Sequence, residues 1–348
     1  MNKKVLAIVG ARPQFIKHYA FEIEAIKCFD LITVHTGQHY DENMSQVFFD
    51  QLGMRKPNYL LSLGGGGHGE QTGKMMIELE KIVLAEKPEA IVVYGDTNST
   101  LAGALVASKL HIKLVHIEAG LRSFNKQMPE EVNRILTDHI SDLLLVPSQT
   151  SVDNLSNEGI TKGVYIVGDI MKDMIRIAKE KDILKLKQGD RKYFYVTLHR
   201  PYNVDDHERL AYILDQLGNL KKEVIFSVHP RTIKKIDEYR IKLKENIRLI
   251  DPQPYFENLS YLHNSEGLIT DSGGMQKEAY WLGKRCITIR TETEWTETLI
   301  GEANQLLFED LSTLDTRLRN KVSFDNVLYG NGYAARSIIN EMKTIEKV

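Results

Sequence analysis

The chain is poor in cysteine and has no long hydrophobic run. Its 348 residues include only two cysteines, Cys28 and Cys286, which lie far apart. This count predicts neither a disulfide framework nor a paired-cysteine metal motif, so a reducing cytoplasm is the expected location. The first apolar run, residues 5–9, is too short for a signal peptide. No run approaches the ~20 residues that span a membrane, so no membrane association is expected.

An excess of charge of one sign is also missing. Lysine and arginine total 45, aspartate and glutamate total 47, and the formal net charge is −2. This balance argues against nucleic acid or an anionic membrane as the main partner. The 11 histidines are scattered without metal-ligand spacing, so no metal is predicted.

What the sequence does contain is a regular alternation of apolar runs and helical patterns. Runs that are apolar throughout indicate strands buried on both faces of a parallel sheet. The predicted fold is therefore α/β, with two Rossmann-like doubly wound domains, residues 1–170 and 171–333, and a ligand in the cleft beyond the strand ends. The length agrees with two domains. The runs are residues 5–9, 31–34, 90–94, 114–117, 143–146, 164–167, 193–198, 224–228, 247–250, 268–269, 286–289 and 305–308.

The stretch 267–278 is typical of a phosphate site. It indicates a short strand, a tight turn and a helix start that Ser272 or Asp271 can cap, with Gly273 and Gly274 leaving backbone N–H groups exposed. Exposed amides at a helix N-terminus bind phosphate or diphosphate. Glu278 lies one turn further along the same face, where its carboxylate can accept hydrogen bonds from a ribose. An ordinary capped turn remains the alternative.

Acidic residues follow two successive strands of the first half. Asp96 and Glu118 each come directly after an apolar run, and Pro129 then opens a helix with Glu130 and Arg134 on one face. Three acids near the carboxyl edge of one sheet suit proton transfer. The alternatives are a helix cap for Asp96 and a surface ion pair between Glu130 and Arg134.

Basic residues also stand at strand ends. Arg12 follows the first strand, where a guanidinium can bind a phosphate, whereas Lys17 in the next helix is interpreted as a surface residue on sequence alone. His199 and His229 end two neighbouring strands of the second half and indicate an anion site, and Arg290 ends a later strand.

The glycine run 64–69 formally contains the pattern G-x-G-x-x-G. A dinucleotide fingerprint should follow the first strand of its unit, with an acid about 20 positions later. Here the next strand ends only at Asp96. Lys74 is followed by Met75 rather than serine or threonine, which argues against a P-loop. We interpret the run as a loop near the cleft, with a nicotinamide site as the less favoured alternative.

Taken together, these residues resemble the non-hydrolysing UDP-N-acetylglucosamine 2-epimerases over essentially the whole chain. The resemblance implies a GT-B-like arrangement, a last helix (334–348) packed back onto the first domain, a homodimer, and no cofactor. It also implies a second UDP-N-acetylglucosamine molecule as allosteric activator, as in bacterial members. The matching stretches, in order and at family spacing, are residues 10–13 with Lys17, 95–97, 118–122, 129–131 with 133–134, 199–200, 271–274 with Glu278, and 329–332.

The resemblance implies inversion at C2 of the sugar. UDP leaves as the C2 proton is removed, giving 2-acetamidoglucal, and UDP is then re-added with protonation of the opposite face. The catalytic candidates are Asp96, Glu118, Glu130 and His199, and which acid serves which face is left open. The candidate ligand contacts are Arg12, Lys17, Arg134, His229, Ser272, Gly273, Gly274, Glu278, Arg290 and Glu294. The implied role is supply of mannosamine-type sugars for surface polysaccharide.

The chain departs from the commoner family pattern at three places. Gln14 replaces a glutamate, Pro201 with Tyr202 replaces a segment with a glutamate, and Trp295 replaces the start of an Arg-Pro pair. These changes resemble the branch that epimerises UDP-2,3-diacetamido-2,3-dideoxyglucuronate, which is the alternative substrate. Because fold alone does not decide function, the sequence is also compatible with a GT-B glycosyltransferase or with a sugar-nucleotide-binding protein without turnover.

Overall fold

The structure is a computed structural model and describes residues 2–38, 53–185, 192–325 and 327–344. The chain divides into two compact units. Unit 1 comprises residues 1–174 and 327–348, and unit 2 comprises residues 175–326. Each unit contains one sheet in which every recorded strand pair is parallel. The prediction of an α/β chain with two Rossmann-like parallel sheets is confirmed.

Unit 1 has a seven-stranded sheet in the order β3-β2-β1-β4-β5-β6-β7. Its strands are β1 (Lys4–Val9), β2 (Asp30–His35), β3 (Tyr59–Leu60), β4 (Ala90–Tyr94), β5 (Lys113–Ile117), β6 (Leu143–Val146) and β7 (Val164–Ile166). Its helices are α1 (Arg12–Ala25), α2 (His68–Glu86), α3 (Asn98–Lys109), α4 (Pro129–Ile140), α5 (Gln149–Asn157), α6 (Ile170–Glu180, where the units divide) and α13 (Ala334–Lys343).

Side chains of β1 and β4 show why this sheet is buried on both faces. Leu6 and Ile8 alternate onto one face, where they join the apolar side of α2 in a core cluster that includes Leu79. On the other face, Tyr94 at the end of β4 packs edge-on against Phe21 of α1, with ring centroids 6.1 Å apart. Strands covered on both sides are apolar throughout, which explains the runs in the sequence.

Unit 2 has a six-stranded sheet in the order β10-β9-β8-β11-β12-β13. Its strands are β8 (Tyr193–Thr197), β9 (Glu223–Ser227), β10 (Ile247–Ile250), β11 (Gly267–Thr270), β12 (Arg285–Thr288) and β13 (Asn304–Leu306). Its helices are α7 (Pro201–Val204), α8 (His207–Gly218), α9 (Pro230–Glu238), α10 (Tyr255–Asn264), α11 (Gly273–Trp281), α12 (Leu314–Arg319) and a 3-10 helix at Thr296–Glu302.

The sheet of unit 2 is likewise buried on both faces. Val196 and Phe226 of neighbouring strands pack with Leu214 of α8 in one cluster. On the opposite face, the rings of Tyr195 and Tyr261 stack with centroids 5.6 Å apart. The strand order reverses between β8 and β11, where β8 lies between β9 and β11. In sheets of this kind, that position at the carboxyl edge is the usual place for a ligand.

The last helix, α13, belongs to unit 1 although it follows unit 2 in the sequence. The two carboxylate oxygens of Asp173 accept hydrogen bonds from the backbone N–H groups of Ala334 and Ala335, each at 2.8 Å. Lys172 donates to the carbonyl of Gly330 at 2.6 Å. The carboxylate therefore satisfies amides of the first turn that have no partner inside the helix.

The apolar runs of the sequence correspond to twelve of the observed strands, with ends that differ by at most two residues. The strand that was not predicted is β3, which has only two residues and lies at the edge of its sheet. Within the described residues, no helix is both long and apolar enough to cross a membrane.

Candidate functional site

Asp96 lies in the turn after β4 and forms an ion pair with Arg134 of α4. It does not cap the following helix. That position is taken by Thr97, whose hydroxyl accepts a hydrogen bond from the backbone N–H of Thr100 at 3.3 Å. The side chain of Asn133 donates to the carbonyl of Asp96 at 2.9 Å. The capping interpretation of Asp96 is therefore wrong, and its carboxylate faces α4.

Glu131 is a buried acid that the sequence did not single out. Only 1% of its surface is exposed, and its carboxylate accepts hydrogen bonds from Arg134 at 2.7 Å, from the N–H of Ser123 at 3.0 Å and from the N–H of Phe124 at 2.8 Å. The neighbouring Glu130 is exposed. The surface pair expected between Glu130 and Arg134 is replaced by pairs of Arg134 with Glu131 and Asp96.

Glu118 follows β5 and forms an ion pair with Lys17 of α1. Both side chains are largely buried, with 9% and 11% of their surfaces exposed, so the interpretation of Lys17 as a surface residue is wrong. Glu118 has a backbone φ of +72°, which is rare for a residue other than glycine. A Cβ on Gly95 would lie 3.2 Å from the Glu118 carboxylate and 3.3 Å from the Lys17 ammonium.

A buried pair of side chains supports the turn at Gly95. His116 bonds the Gly95 carbonyl through Nε2 at 2.8 Å and the carboxylate of Asp138 through Nδ1 at 2.7 Å. Burial alone would raise the pKa of Asp138, but His116 and then Arg122 hold it below its ordinary value. The Asp138 carboxylate also accepts a hydrogen bond from the N–H of Gly120 at 3.1 Å. Both turns that carry the candidate acids are thus attached to one rigid pair.

The first turn of α1 carries Arg12 and Gln14. The side chain of Arg12 lies outside the part of the chain that the structure describes. The Gln14 carbonyl oxygen accepts from the N–H of Gly10 at 2.8 Å, and its amide nitrogen donates to the Tyr94 carbonyl at 2.8 Å and to Thr100 at 2.9 Å. Gln14 therefore ties the turn after β1 to the turn after β4.

In unit 2, α11 begins with two glycines, and among the described residues no side chain caps its N-terminus. Ser272 is the N-cap residue, but its side chain makes no capping hydrogen bond, so the capping interpretation of Ser272 is wrong. Gly274 is exposed, and no described atom lies within 4 Å of the position of a Cβ there. Backbone N–H groups of a first helical turn have no partner within the helix, and the helix dipole favours an anion beside them. The turn therefore keeps the features of a phosphate site.

Arg290 and Glu294 lie against this turn. They form an ion pair at 3.0 Å, and a Cβ on Gly273 would lie 2.5 Å from Glu294 Oε1 and 3.6 Å from Arg290 Nη1. Arg290 is 8% exposed, and within the described residues its Nη1 atom has no hydrogen-bond partner. A buried guanidinium nitrogen without a partner is costly, so its position beside a helix N-terminus favours an anionic ligand.

Asp271 holds the segment that follows β8 through hydrogen bonds. Its buried carboxylate accepts hydrogen bonds from the N–H of His199 at 3.1 Å, the N–H of Arg200 at 2.9 Å and the side chain of Asn203 at 3.2 Å. His199 Nδ1 lies 3.1 Å from the same carboxylate. Burial alone would raise the pKa of Asp271, but the hydrogen bond and charge of His199 lead the effects that lower it. The side chain of His199 is 39% exposed.

His229 follows β9 and lies beside His199, with ring centroids 6.0 Å apart. Its Nδ1 atom accepts a hydrogen bond from the N–H of Arg231 at 3.1 Å, so His229 caps α9. Burial, and next the charge of His199, lower the pKa of His229. The structure thus brings together the two histidines that the sequence placed at neighbouring strand ends.

Two further residues of α11 are buried. Glu278 is 5% exposed, and Lys277 is 2% exposed with its ammonium 3.3 Å from the ring centroid of Trp295. A cation over an indole face is a favourable contact. Nothing in the sequence indicated the Lys277–Trp295 contact, because the two residues are 18 positions apart.

The glycine run 64–69 follows β3, at the edge of the sheet, and leads into α2. A dinucleotide fingerprint belongs after the first strand of a unit, so this position does not favour the nicotinamide alternative. His68 instead lies beside α3, with Nδ1 3.1 Å from the Asn98 side-chain nitrogen. Among the described residues, no group of three or more histidine, cysteine or acidic side chains could hold a metal ion.

Known proteins resemble the chain over nearly its full length. A family model for UDP-N-acetylglucosamine 2-epimerase matches residues 22–343. The UDP-2,3-diacetamido-2,3-dideoxy-D-glucuronate 2-epimerase of Pseudomonas aeruginosa is 45% identical, covering 96% of this chain and 98% of that protein. The UDP-N-acetylglucosamine 2-epimerase of Methanocaldococcus jannaschii is 43% identical, with coverage of 97% and 98%. A crystal structure of the Methanocaldococcus jannaschii UDP-GlcNAc 2-epimerase, in complex with UDP-GlcNAc and UDP, superposes with a TM-score of 0.86 at 41% identity, with coverage of 98% and 99%.

These likenesses place the chain, with its two Rossmann-like units, among the sugar-nucleotide epimerases. The chain belongs to the UDP-N-acetylglucosamine 2-epimerase family. The predicted resemblance to this family and the prediction of an isomerase are thereby confirmed.

Proposed function

We propose that the chain interconverts UDP-N-acetylglucosamine and UDP-N-acetylmannosamine without net hydrolysis, in the supply of sugars for surface polysaccharide. Family membership supports the reaction class. The substrate is supported by the relative from Methanocaldococcus jannaschii, whose structure is a complex with UDP-GlcNAc and UDP.

The observation that carries this proposal is the placement of the acids in unit 1. Asp96 and Glu118 follow the adjacent strands β4 and β5, and Glu130 stands at the start of α4. One carboxylate would take the C2 proton while the C1–oxygen bond to UDP breaks, which leaves a C1–C2 double bond. The UDP oxygen would then reattack C1 as a second acid protonates the opposite face of C2. No oxidant is needed, because the electron pair of the C–H bond becomes the double bond and returns.

Unit 2 would bind the UDP half. The N-terminus of α11 and the buried Arg290 would hold the diphosphate, Glu278 would accept the ribose hydroxyls, and His199 and His229 would add donors. These groups favour departure of UDP because they stabilise the charge that develops on the leaving oxygen. In unit 1, Lys17, Arg134 and Arg12 are proposed as further ligand contacts.

The test is proton exchange at C2. The purified protein would be incubated with UDP-N-acetylglucosamine in D2O, and the sugar followed by proton NMR. We expect the manno epimer with deuterium at C2, and loss of at least about a hundredfold in rate in Asp96→Asn and Glu118→Gln. Glu80→Gln, an exposed acid on α2, is the matched control and should keep wild-type activity. Sugar transfer to an acceptor without epimer, or binding without turnover, would contradict the proposal.

A second substrate has specific support. The Pseudomonas aeruginosa relative acts, by its name, on UDP-2,3-diacetamido-2,3-dideoxy-D-glucuronate, and Gln14 and Trp295 depart from the commoner pattern. Repeating the exchange experiment with that nucleotide sugar decides between the two. Exchange with the diacetamido sugar alone would replace the first substrate by the second.

A homodimer and activation by a second UDP-N-acetylglucosamine molecule also belong to this proposal. Light scattering should give twice the mass of 39.8 kDa. Conversion of UDP-N-acetylmannosamine should begin with a lag, and addition of UDP-N-acetylglucosamine should remove the lag and raise the rate. A monomer mass, or a rate without activation, would contradict these two points.

A further inference from the structure

The loop between β5 and α4 presents an aromatic ring from a strained backbone. Phe124 has a φ of +58°, in the left-handed region, and 79% of its surface is exposed. For a bulky residue this conformation is a genuine outlier and persists only when surrounding contacts enforce it. An exposed phenylalanine also gains little from burial. Neither folding nor packing accounts for a phenylalanine here.

The contacts that enforce this conformation come from a buried acid. The N–H groups of Ser123 and Phe124 donate to the two oxygens of the Glu131 carboxylate, at 3.0 and 2.8 Å. Glu131 is in turn held by Arg134 at 2.7 Å. A carboxylate that accepts three hydrogen bonds in a buried position is a firm anchor. The backbone that carries the Phe124 ring is therefore held in one orientation.

The same anchor connects the backbone of Phe124 to one of the candidate acids. Arg134 connects Glu131 to Asp96. The loop itself begins shortly after Glu118 and ends at the start of α4, which carries Glu130. In the sequence, Phe124 thus lies between Glu118 and Glu130, which are proposed to act on C2 of the sugar, in the loop that follows β5 at the carboxyl edge of the unit 1 sheet.

We propose that Phe124 is a substrate contact that packs its ring against the apolar face of the 2-acetamido sugar. Binding sites for small molecules combine aromatic surfaces with a few polar groups, and the described acids and Arg134 supply only the polar part. A rigid aromatic side chain binds at low entropy cost because it has only two side-chain torsions. Holding the backbone in a strained conformation before the ligand arrives is a form of preorganisation. The inference rests on the proposed function, because it assigns the sugar to this edge.

The experiment compares UDP with UDP-N-acetylglucosamine, since the two ligands differ only in the sugar. Calorimetry would measure both dissociation constants for the wild type, Phe124→Ala and Phe124→Leu. We expect Phe124→Ala to weaken the nucleotide sugar about tenfold, which is about 1.4 kcal/mol, and UDP less than about twofold. Phe124→Leu should lie in between. Leu84→Ala removes another exposed apolar side chain of unit 1 and should change neither constant.

A glycine variant separates the ring from the backbone strain. Phe124→Gly removes both, because glycine adopts positive φ without penalty. It should bind the nucleotide sugar as weakly as Phe124→Ala does, but it should unfold at a higher urea concentration than Phe124→Ala. If Phe124→Gly binds the sugar normally while Phe124→Ala does not, the backbone rather than the ring matters, and the proposal is overturned.

The remaining outcomes also decide the matter. Equal weakening of UDP and the nucleotide sugar, or no weakening at all, overturns the contact. A fall in mass by light scattering with unchanged sugar affinity would assign the ring to an interface between copies and overturn it as well. Calorimetry needs no turnover. A wild type that binds the sugar without epimerising it would refute the proposed function, while the binding constants of the variants would still decide the role of Phe124.

Discussion

Replacing Asp271 with asparagine changes one atom in the interior of unit 2 and should measurably destabilise it. The carboxylate is fully buried and accepts hydrogen bonds from two backbone N–H groups and from Asn203. An asparagine has one accepting oxygen in place of two. Its NH2 group can face His199 Nδ1, but the remaining donors must then share one neutral oxygen.

The expected cost follows from the number of bonds. A hydrogen bond to a charged group contributes about 1 kcal/mol more than a neutral one, and at least two of these bonds become neutral. We therefore expect Asp271→Asn to lower the free energy of unfolding of unit 2 by about 2 kcal/mol at pH 7. The control is Asp237→Asn, which makes the same charge change at an exposed position of α9.

The assay is urea unfolding followed by tryptophan fluorescence. Both tryptophans of the chain, Trp281 and Trp295, lie in unit 2, so the signal reports on that unit alone. Because the pKa of Asp271 is lowered in the folded state, its contribution is complete above the unfolded value of about 3.9. It is lost as pH falls through the lower folded pKa. The difference between wild type and variant should therefore be largest at neutral pH and shrink below about pH 4.

Two results would refute this reasoning. One is a variant whose stability lies within about 0.5 kcal/mol of the Asp237→Asn control, which is the range of ordinary surface changes. The other is a stability difference that persists unchanged in acid, since the carboxylate charge would then not be its cause.

Three further predictions concern unit 1. Glu131→Gln should lower its free energy of unfolding by about 2 kcal/mol, because Arg134 and two backbone amides then face a neutral group; an unchanged urea midpoint by circular dichroism would contradict this. Gln14→Glu should lower the free energy of unfolding by a similar amount, because a carboxylate cannot donate to the Tyr94 carbonyl and is repelled by it. Gln14→Met should lower it less if that repulsion is the cause. Asp173→Ala should destabilise α13 by about 1 kcal/mol and speed proteolysis after residue 334, and an unchanged cleavage rate would count against the cap.

The fold was largely predictable because the parallel strands are buried on both faces. Runs such as 90–94 and 143–146 are apolar at every position and match β4 and β6 residue for residue. The two-residue strand β3 could not be predicted, since it is short and half-exposed at a sheet edge. Two residues are too few to show the hydrophobic periodicity that indicates a strand.

Only those site residues whose position follows from the sheet topology were predictable. Asp96 and Glu118 were found because residues after parallel strands collect at one edge of the sheet. Glu130 and Glu131, in contrast, are adjacent on one helix, and sequence cannot tell which of them turns inward. The loop amides at 123–124 and the Arg134 guanidinium bury Glu131, and these contacts exist only in the folded chain.

The attachment of α13 has a consequence for the order in which the protein is made. Unit 1 contains residues that the ribosome makes before unit 2 and residues that it makes afterwards. Asp173 is made 161 and 162 positions before Ala334 and Ala335, whose backbone N–H groups its carboxylate binds. Unit 2 is therefore synthesised completely before the cap of α13 can form. A ribosome that stops short of α13 releases a chain with one finished sheet domain and one that still lacks its closing helix.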